Sequence, residues 1–284
     1  MKPVEIGRIR VENVVEWYGP TRPTWVLPDA APEAVERHRD WLAPHFMDAR
    51  GRFLMSIHSF ILRAPGLTVL VDTCVGNDKP RQNPGWHMLQ TDFLDRLAAA
   101  GCPPESVDLV LCTHLHVDHV GWNTRLDNGR WVPTFPRARY LMGRVEFAHW
   151  RDEQGRDDMA AVFADSVAPI HAAGLADLVE TTHRICDEIS LAPTVGHTPG
   201  HVSVRIASEG EEALITGDFM HHPCQIARPD WSSTADSDPD QARHTRQRML
   251  GELCDRPVLV IGTHFAGATA GHIVRDGETY RLAV

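Results

Sequence analysis

The chain has 284 residues, 43% of them hydrophobic, and its formal net charge is −10. Because 38 acidic residues outnumber 28 basic ones, the composition argues against a nucleic-acid-binding protein, which would gather Lys and Arg on one face. The sequence has no apolar run of about 18 residues and no signal-peptide core, so we expect a cytoplasmic protein with no membrane partner. Six widely spaced cysteines favour reduced thiols over a disulfide framework.

The first fifty residues differ from the rest of the chain because they contain six prolines. A charged stretch at 32–41 starts with proline and predicts a short helix. We interpret residues 1–54 as an N-terminal extension packed on a single domain that spans residues 55–284.

Apolar runs and helical periodicity alternate along the rest of the chain. They predict strands at 56–62, 67–72, 106–113, 189–195, 202–207, 212–216 and 258–261. They predict helices at 91–101, 143–173 and 238–254. This alternation of strands and helices is typical of an α/β fold.

Residues 114–119 read His-Leu-His-Val-Asp-His and follow the predicted strand at 106–113. In an extended segment His114 and His116 point to the same side, so both can reach one metal ion. Asp118 and His119 follow where the chain begins to turn, and their offset suits a second ion. Imidazole and carboxylate are ligands for zinc and, to a lesser degree, for iron or manganese. The alternative is a solvated, histidine-rich surface loop.

Three later motifs favour the metal site. Residues 196–201 read Gly-His-Thr-Pro-Gly-His, a tight turn in which glycine and proline fix the direction of an imidazole. Two apolar strands end in Gly217-Asp218 and in Gly-Thr-His at 262–264. Each motif alone is explained as well by a turn, but the four in this order are specific.

With these four motifs the chain resembles the metallo-β-lactamase superfamily over residues 55–284. The resemblance implies an αββα sandwich (α/β, four layers) with two divalent metal ions, zinc before iron or manganese. It implies that one ion is bound by His114, His116 and His197, the other by Asp118, His119 and His264, with Asp218 bridging both. It also implies that Asp72, at the end of an early strand, orients a ligand imidazole.

Two adjacent cations would lower the pKa of a bridging water, and the resulting hydroxide would attack an electrophilic carbonyl or phosphoryl centre. The predicted activity is therefore metal-dependent hydrolysis, with Asp118 and His221 as the catalytic side chains. His221 follows Asp218 by three residues. This is similar to the methyl parathion hydrolase group of aryl ester, lactone and organophosphate hydrolases, whereas acyl-homoserine lactonases often have Tyr at that position.

The branch resemblance favours a small-molecule substrate that is a lactone or a carboxylic ester. A phosphoester or organophosphate hydrolase is the alternative within the fold, and a ligand-binding regulatory protein that keeps the metal pocket is the alternative outside enzymes. Trp150, Phe46 and Trp122 are candidate substrate contacts, although each aromatic is as well explained by core packing. Whether the chain forms a homodimer stays open.

Overall fold

The computed structural model describes residues 1–153 and 157–284. Strands β1 to β15 are Val4–Ile6, Ile9–Thr21, Phe53–Ala64, Leu67–Val71, Leu109–Leu111, Thr124–Asp127, Arg130–Pro133, Arg139–Gly143, Ala176–Val179, Ile189–Pro193, Val202–Ser208, Glu211–Ile215, Val258–Ile261, Ala270–Asp276 and Thr279–Ala283. Helices α1 to α9 are Pro23–Val26, Pro32–Glu36, Arg39–Leu42, Phe93–Ala99, Arg144–Asp152, Asp157–Val162, Ala168–Ala172, Cys224–Ala227 and Pro239–Leu253. Single turns of 3-10 helix are Pro104–Ser106, Gly121–Asn123 and Gly217–Phe219, and Phe163–Val167 is a π-helix.

The strands form two large sheets and one hairpin. The first sheet has the order β1-β2-β3-β4-β5-β8-β9, and the second has the order β10-β11-β12-β13-β14-β15. Strands β4, β5, β8 and β9 pair in parallel, as do β12 and β13. Strands β6 and β7 pair only with each other among the described residues. The loops that leave β5, β10, β12 and β13 carry the predicted ligands.

The chain divides into two compact units. The first unit comprises Met1, residues 17–56 and residues 182–284, and the second comprises residues 2–16 and 57–181. Beyond Met1, the divisions fall within β2, within β3 and between β9 and β10. The predicted ligands up to His119 therefore belong to the second unit, and those from His197 onward belong to the first.

The core of the first unit joins the N-terminal segment to the second sheet and helix α9. Buried side chains from residues 26–53 pack in one cluster with side chains from residues 214–282, including Phe46, Phe53, Leu214, Met249 and Phe265. The segment thus shares its core with the C-terminal half of the chain. The predicted boundary after residue 54 stays a prediction.

The second unit contains a buried carboxylate that ties strand β2 to two loops. Glu16 is 5% exposed, and its carboxylate accepts hydrogen bonds from Val75 N (2.8 Å), Gly76 N (3.2 Å) and Trp122 Nε1 (2.6 Å). Burial raises the pKa of Glu16, against the opposing effect of these donors. Trp122 lies four residues after Asp118. The Glu16 carboxylate therefore also holds the segment that directly follows the predicted metal ligands at 114–119.

Most of the predicted elements are confirmed. The predicted strand at 106–113 is shorter, because Pro104–Ser106 is a turn of 3-10 helix and the paired strand comprises only Leu109–Leu111. The predicted helix at 32–41 is broken into α2 and α3 at His38, whose φ is −112°. The helical prediction for 143–173 is confirmed except at 154–156, which lie outside the described residues. No helix in the described residues has the length and apolar character needed to cross a membrane.

We expect Glu16→Ala to lower the free energy of unfolding by about 3 kcal/mol, because it leaves buried N–H donors without an acceptor. Urea unfolding followed by circular dichroism measures this change. Glu5→Ala is the matched control, since Glu5 is 59% exposed in its pair with Arg10 and should change stability by less than about 0.5 kcal/mol. Equal stabilities of the two variants would contradict the prediction.

Candidate metal centre

The loop at 113–119, here called the histidine loop, leaves the central parallel strand β5. His114 and His119 are fully buried, and His114 Nε2 lies 3.1 Å from His116 Nδ1. The His114 and His119 rings are 3.9 Å apart between centroids. His119 Nε2 lies 3.7 Å from Asp118 Oδ1. The second unit therefore brings its four predicted ligands together.

Asp72 fixes the histidine loop at both ends. Its carboxylate accepts hydrogen bonds from Thr113 N (2.8 Å) and Thr113 Oγ1 (2.9 Å), and it lies 3.0 Å from His119 Nδ1. Because a carboxylate only accepts, His119 carries its proton on Nδ1, and its Nε2 lone pair points the other way. Asp72 holds this conformation at φ +57° while 2% exposed. The contact required by its predicted orienting role is present.

Glu146, on helix α5, fixes the middle of the same loop. Its Oε1 accepts hydrogen bonds from Leu115 N (3.1 Å) and from Trp150 Nε1 (2.6 Å), and the Glu146 side chain is fully buried. The Trp150 and His116 rings lie 5.2 Å apart between centroids. The backbone between His114 and His116 is therefore held by a buried side-chain acceptor.

The first unit holds His197 in the turn at 196–201, which packs against the start of helix α9. Gly196 has a φ of +129°, and a Cβ there would lie 2.3 Å from Ala242 N, so only glycine fits. His197 Nδ1 lies 2.9 Å from Asp236 Oδ1. As with His119, the carboxylate places the proton on Nδ1 and leaves Nε2 as an acceptor.

His201, the second histidine of the turn, positions the backbone of Asp218. Its Nε2 accepts a hydrogen bond from Asp218 N (2.7 Å), and its Nδ1 lies 3.0 Å from the carbonyl oxygen of Thr194. Gly217, with φ +56°, brings the chain so close that a Cβ would lie 2.5 Å from His201 Nε2. His201 therefore acts on the loop that carries Asp218.

Three imidazoles surround the Asp218 carboxylate, which is 3% exposed. Its Oδ2 lies 3.2 Å from His264 Nε2, 3.4 Å from His221 Nε2 and 3.6 Å from His197 Nε2. His264 Nδ1 lies 2.9 Å from the carbonyl oxygen of Ser56, which only accepts, so this ring also carries its proton on Nδ1.

These tautomers test whether the site suits a metal ion. In neutral rings, the Nε2 lone pairs of His197 and His264 point toward the region of a buried carboxylate oxygen. Lone pairs and negative charge in a buried region are stable only with a cation or a proton among them. Imidazole nitrogen and carboxylate oxygen are the donors that zinc and similar divalent ions bind. The residues therefore fit a divalent metal.

The neighbouring histidines 221 and 222 have different surroundings. Burial lowers the pKa of His221 to about 3, although the Asp218 charge opposes the shift, and neither of its ring nitrogens makes a hydrogen bond within the described chain. His222 stacks on Phe53 at 3.7 Å between centroids, and its Nε2 donates to the carbonyl oxygen of Phe46 at 2.8 Å. His221 thus faces Asp218, and His222 faces the core.

The three candidate substrate contacts are all buried. Phe46 is 0%, Trp150 1% and Trp122 4% exposed. Phe46 belongs to the core of the first unit, Trp150 donates to Glu146, and Trp122 stacks on Phe93 with centroids 5.8 Å apart. Each has a packing role, and contact with substrate stays a prediction for all three.

Asp72 was predicted to orient a ligand imidazole, but sequence reasoning missed three further residues that hold the ligands in place. They are Glu146, His201 and Asp236. Only His201 lies in a recognised motif, and its position in the turn at 196–201 was the one available signal. Glu146 and Asp236 lie in segments without a ligand pattern.

Three solved structures illustrate the likeness of the whole chain to known proteins. The hydrolase AbOPH, described as in the beta lactamase superfamily, is 23% identical, with a TM-score of 0.81 over 99% of this chain and 95% of that one. AidC, a dizinc quorum-quenching lactonase in complex with the product N-hexanoyl-L-homoserine, is 18% identical, with a TM-score of 0.82 over 99% and 96%. A probable metal-dependent hydrolase from Staphylococcus aureus is 19% identical, with a TM-score of 0.77 over 99% of both chains.

The TM-scores show that the chain shares its fold with these three proteins. No curated protein matches the chain in sequence. The family model of the metallo-beta-lactamase superfamily matches residues 52–272, which is most of the chain. The predicted αββα fold class is thus confirmed. The chain is a hydrolase with clustered His and Asp side chains that suit divalent metal ions. By the family match, it belongs to the metallo-β-lactamase superfamily.

Proposed function

We propose that this protein is a binuclear metal-dependent hydrolase that opens lactones or cleaves carboxylic esters of small molecules. The observation that carries the proposal is the Asp218 carboxylate with three imidazole Nε2 atoms within 3.6 Å. A buried carboxylate in this setting is suited to bind metal, because its charge and the ring lone pairs need a cation.

We assign the seven predicted ligands to two ions. His114, His116 and His197 would hold one ion, Asp118, His119 and His264 would hold the other, and Asp218 would serve both. When bound, two divalent cations lower the pKa of a coordinated water and accept negative charge from the reacting centre. Zinc is the metal that this donor set favours, with iron or manganese as alternatives.

The protein's own residues orient the ligands. Asp72 and Asp236 fix the proton of His119 and of His197 on Nδ1, so that Nε2 is the acceptor atom of each ring. Asp118 keeps 14% of its side chain exposed and lies 3.7 Å from His119, so solvent can reach this predicted catalytic side chain.

His221 is the side chain that we assign to the substrate. It stays neutral down to acidic pH because burial lowers its pKa to about 3. A neutral imidazole has one N–H to donate, and the ring nitrogens of His221 make no hydrogen bond to the described residues. His221 can therefore donate to a substrate carbonyl beside the carboxylate of Asp218.

Leaving-group chemistry favours oxygen esters. An alkoxide or phenoxide leaves without the general acid that an amine requires. The similarity of the fold to AidC, a lactonase, supports a lactone within this class. The competing hypothesis is that the protein hydrolyses a phosphoester or phosphotriester. A second alternative is that it is a regulatory protein that binds a ligand without turnover.

We expect two divalent ions per chain after reconstitution with zinc, and loss of turnover when a chelator removes them. Asp218→Ala should bind at most one ion and lose at least about 100-fold in turnover, since metal-linked carboxylates serve the site rather than the core. Elemental analysis, turnover and a thermal melt on the same samples measure this. Asp230→Ala is the control, because that carboxylate is 53% exposed and pairs with Arg228. Full turnover in Asp218→Ala with two bound ions would reject the assignment.

We expect higher kcat/KM for lactones and aryl esters than for phosphotriesters or amides, in a screen of one zinc-loaded preparation. His221→Ala should lower kcat/KM for the best substrate about 10-fold, with both ions retained. His222→Gln is the matched control: it should lower the melting temperature and leave kcat/KM of the folded protein unchanged. Wild-type kinetics in His221→Ala would remove its role, and faster phosphotriester hydrolysis would favour the competing hypothesis.

A further inference from the structure

The His197 side chain is held by a carboxylate that no motif identifies. Asp236 lies between helices α8 and α9, and its side chain is 0% exposed. Its Oδ1 lies 2.9 Å from His197 Nδ1. Since the carboxylate accepts only, the contact fixes the tautomer of His197 with its proton on Nδ1 and with Nε2 as the acceptor.

Asp236 is itself fixed by two further contacts. Its Oδ2 accepts a hydrogen bond from Ser233 N at 2.8 Å and lies 3.7 Å from Arg246 Nη2. The Arg246 side chain is 0% exposed, so its charge is not screened by solvent. Burial raises the pKa of Asp236, and the charge of Arg246 opposes this shift.

Arg246 is locked in place by main-chain acceptors. Its Nε donates to the carbonyl oxygen of Phe219 at 2.9 Å, and its Nη1 donates to those of Pro229 (3.0 Å) and Trp231 (2.7 Å). Phe219 directly follows Asp218. The Arg246 guanidinium therefore contacts both the loop that carries Asp218 and the carboxylate of Asp236, which holds His197.

The segment of Asp236 also fixes the main chain of the turn. Ser237 N donates to the carbonyl oxygen of His197 at 2.8 Å, and Asp238 N donates to that of Gly196 at 2.9 Å. Both the backbone and the ring of His197 are thus positioned by residues 236–238.

We propose that Asp236 is a positioning residue for metal binding, which sets the His197 tautomer and orientation, and that Arg246 holds Asp236 in place. This inference rests on the proposed metal-dependent function, and it assigns Asp236 no contact with substrate. Loss of a hydrogen-bond partner of this kind weakens metal binding by about 10- to 100-fold.

The direct test is Asp236→Asn, which keeps the shape and removes the charge. The amide can donate to His197 Nδ1 and so favour the tautomer with its proton on Nε2, which cannot bind metal. Titration of the apoprotein with zinc against a chelator indicator should give one site weakened about 10- to 100-fold and one unchanged. Cobalt-loaded protein should show a changed visible spectrum at one site.

The matched control is Asp165→Asn. Asp165 is also a buried carboxylate, 9% exposed, and it pairs with Arg81 at 2.7 and 2.9 Å rather than with a predicted ligand. This variant should lower the melting temperature and leave both zinc affinities unchanged. An equal loss of affinity in both variants would mean that general destabilisation, and not positioning, explains the effect, and would overturn the inference.

A measurement on the wild-type chain covers the case in which Asp236→Asn does not fold. Long-range ¹⁵N NMR of metal-free protein should show the His197 proton on Nδ1, and a proton on Nε2 would overturn the inference. Two bound ions in the wild type with unchanged affinities in Asp236→Asn would overturn it while leaving the proposed function standing. A wild type that binds no divalent ion would reject the proposed function and the inference with it.

Discussion

The main physical constraint on the first unit is that it buries the carboxylate of Asp218 beside imidazole nitrogens. Asp218 receives its main-chain position from His201 and lies within 3.6 Å of three other imidazole nitrogens. Such an arrangement is costly without a cation, so the surrounding structure must hold it against local repulsion. Glycines at 196 and 217 allow the close approaches, and the buried Arg246 supports the neighbouring main chain.

The histidine loop, the turn at 196–201 and the strand ends could be predicted from sequence because their signals are local. An apolar run of four to seven residues followed by Gly-Asp or Thr-His is visible in a short window. Strand β2 was missed for the opposite reason. Its alternation is interrupted by Glu16, a charged residue at a buried position, and the donors that make this burial tolerable lie about 60 residues away in the chain.

The supports of the candidate site could not be predicted for the same physical reason. Asp236 is separated from His197 by 39 residues, Glu146 from Leu115 by 31 and His201 from Asp218 by 17. An aspartate between two helices has the same local appearance whether it caps a turn or holds an imidazole. The residue that such an aspartate contacts depends on the fold. A single sequence does not show which distant residues are in contact.

The two adjacent histidines after Met220 have a consequence for engineering. Met220 is extended, with φ −139° and ψ 122°, and the consecutive rings of His221 and His222 have separate partners. The segment therefore tolerates no shift by one residue, since a shift would exchange the ring that faces Asp218 for the ring that stacks on Phe53. Libraries that aim to alter substrate range can diversify position 221, but they should keep the length of the segment and the identity of residue 222 constant.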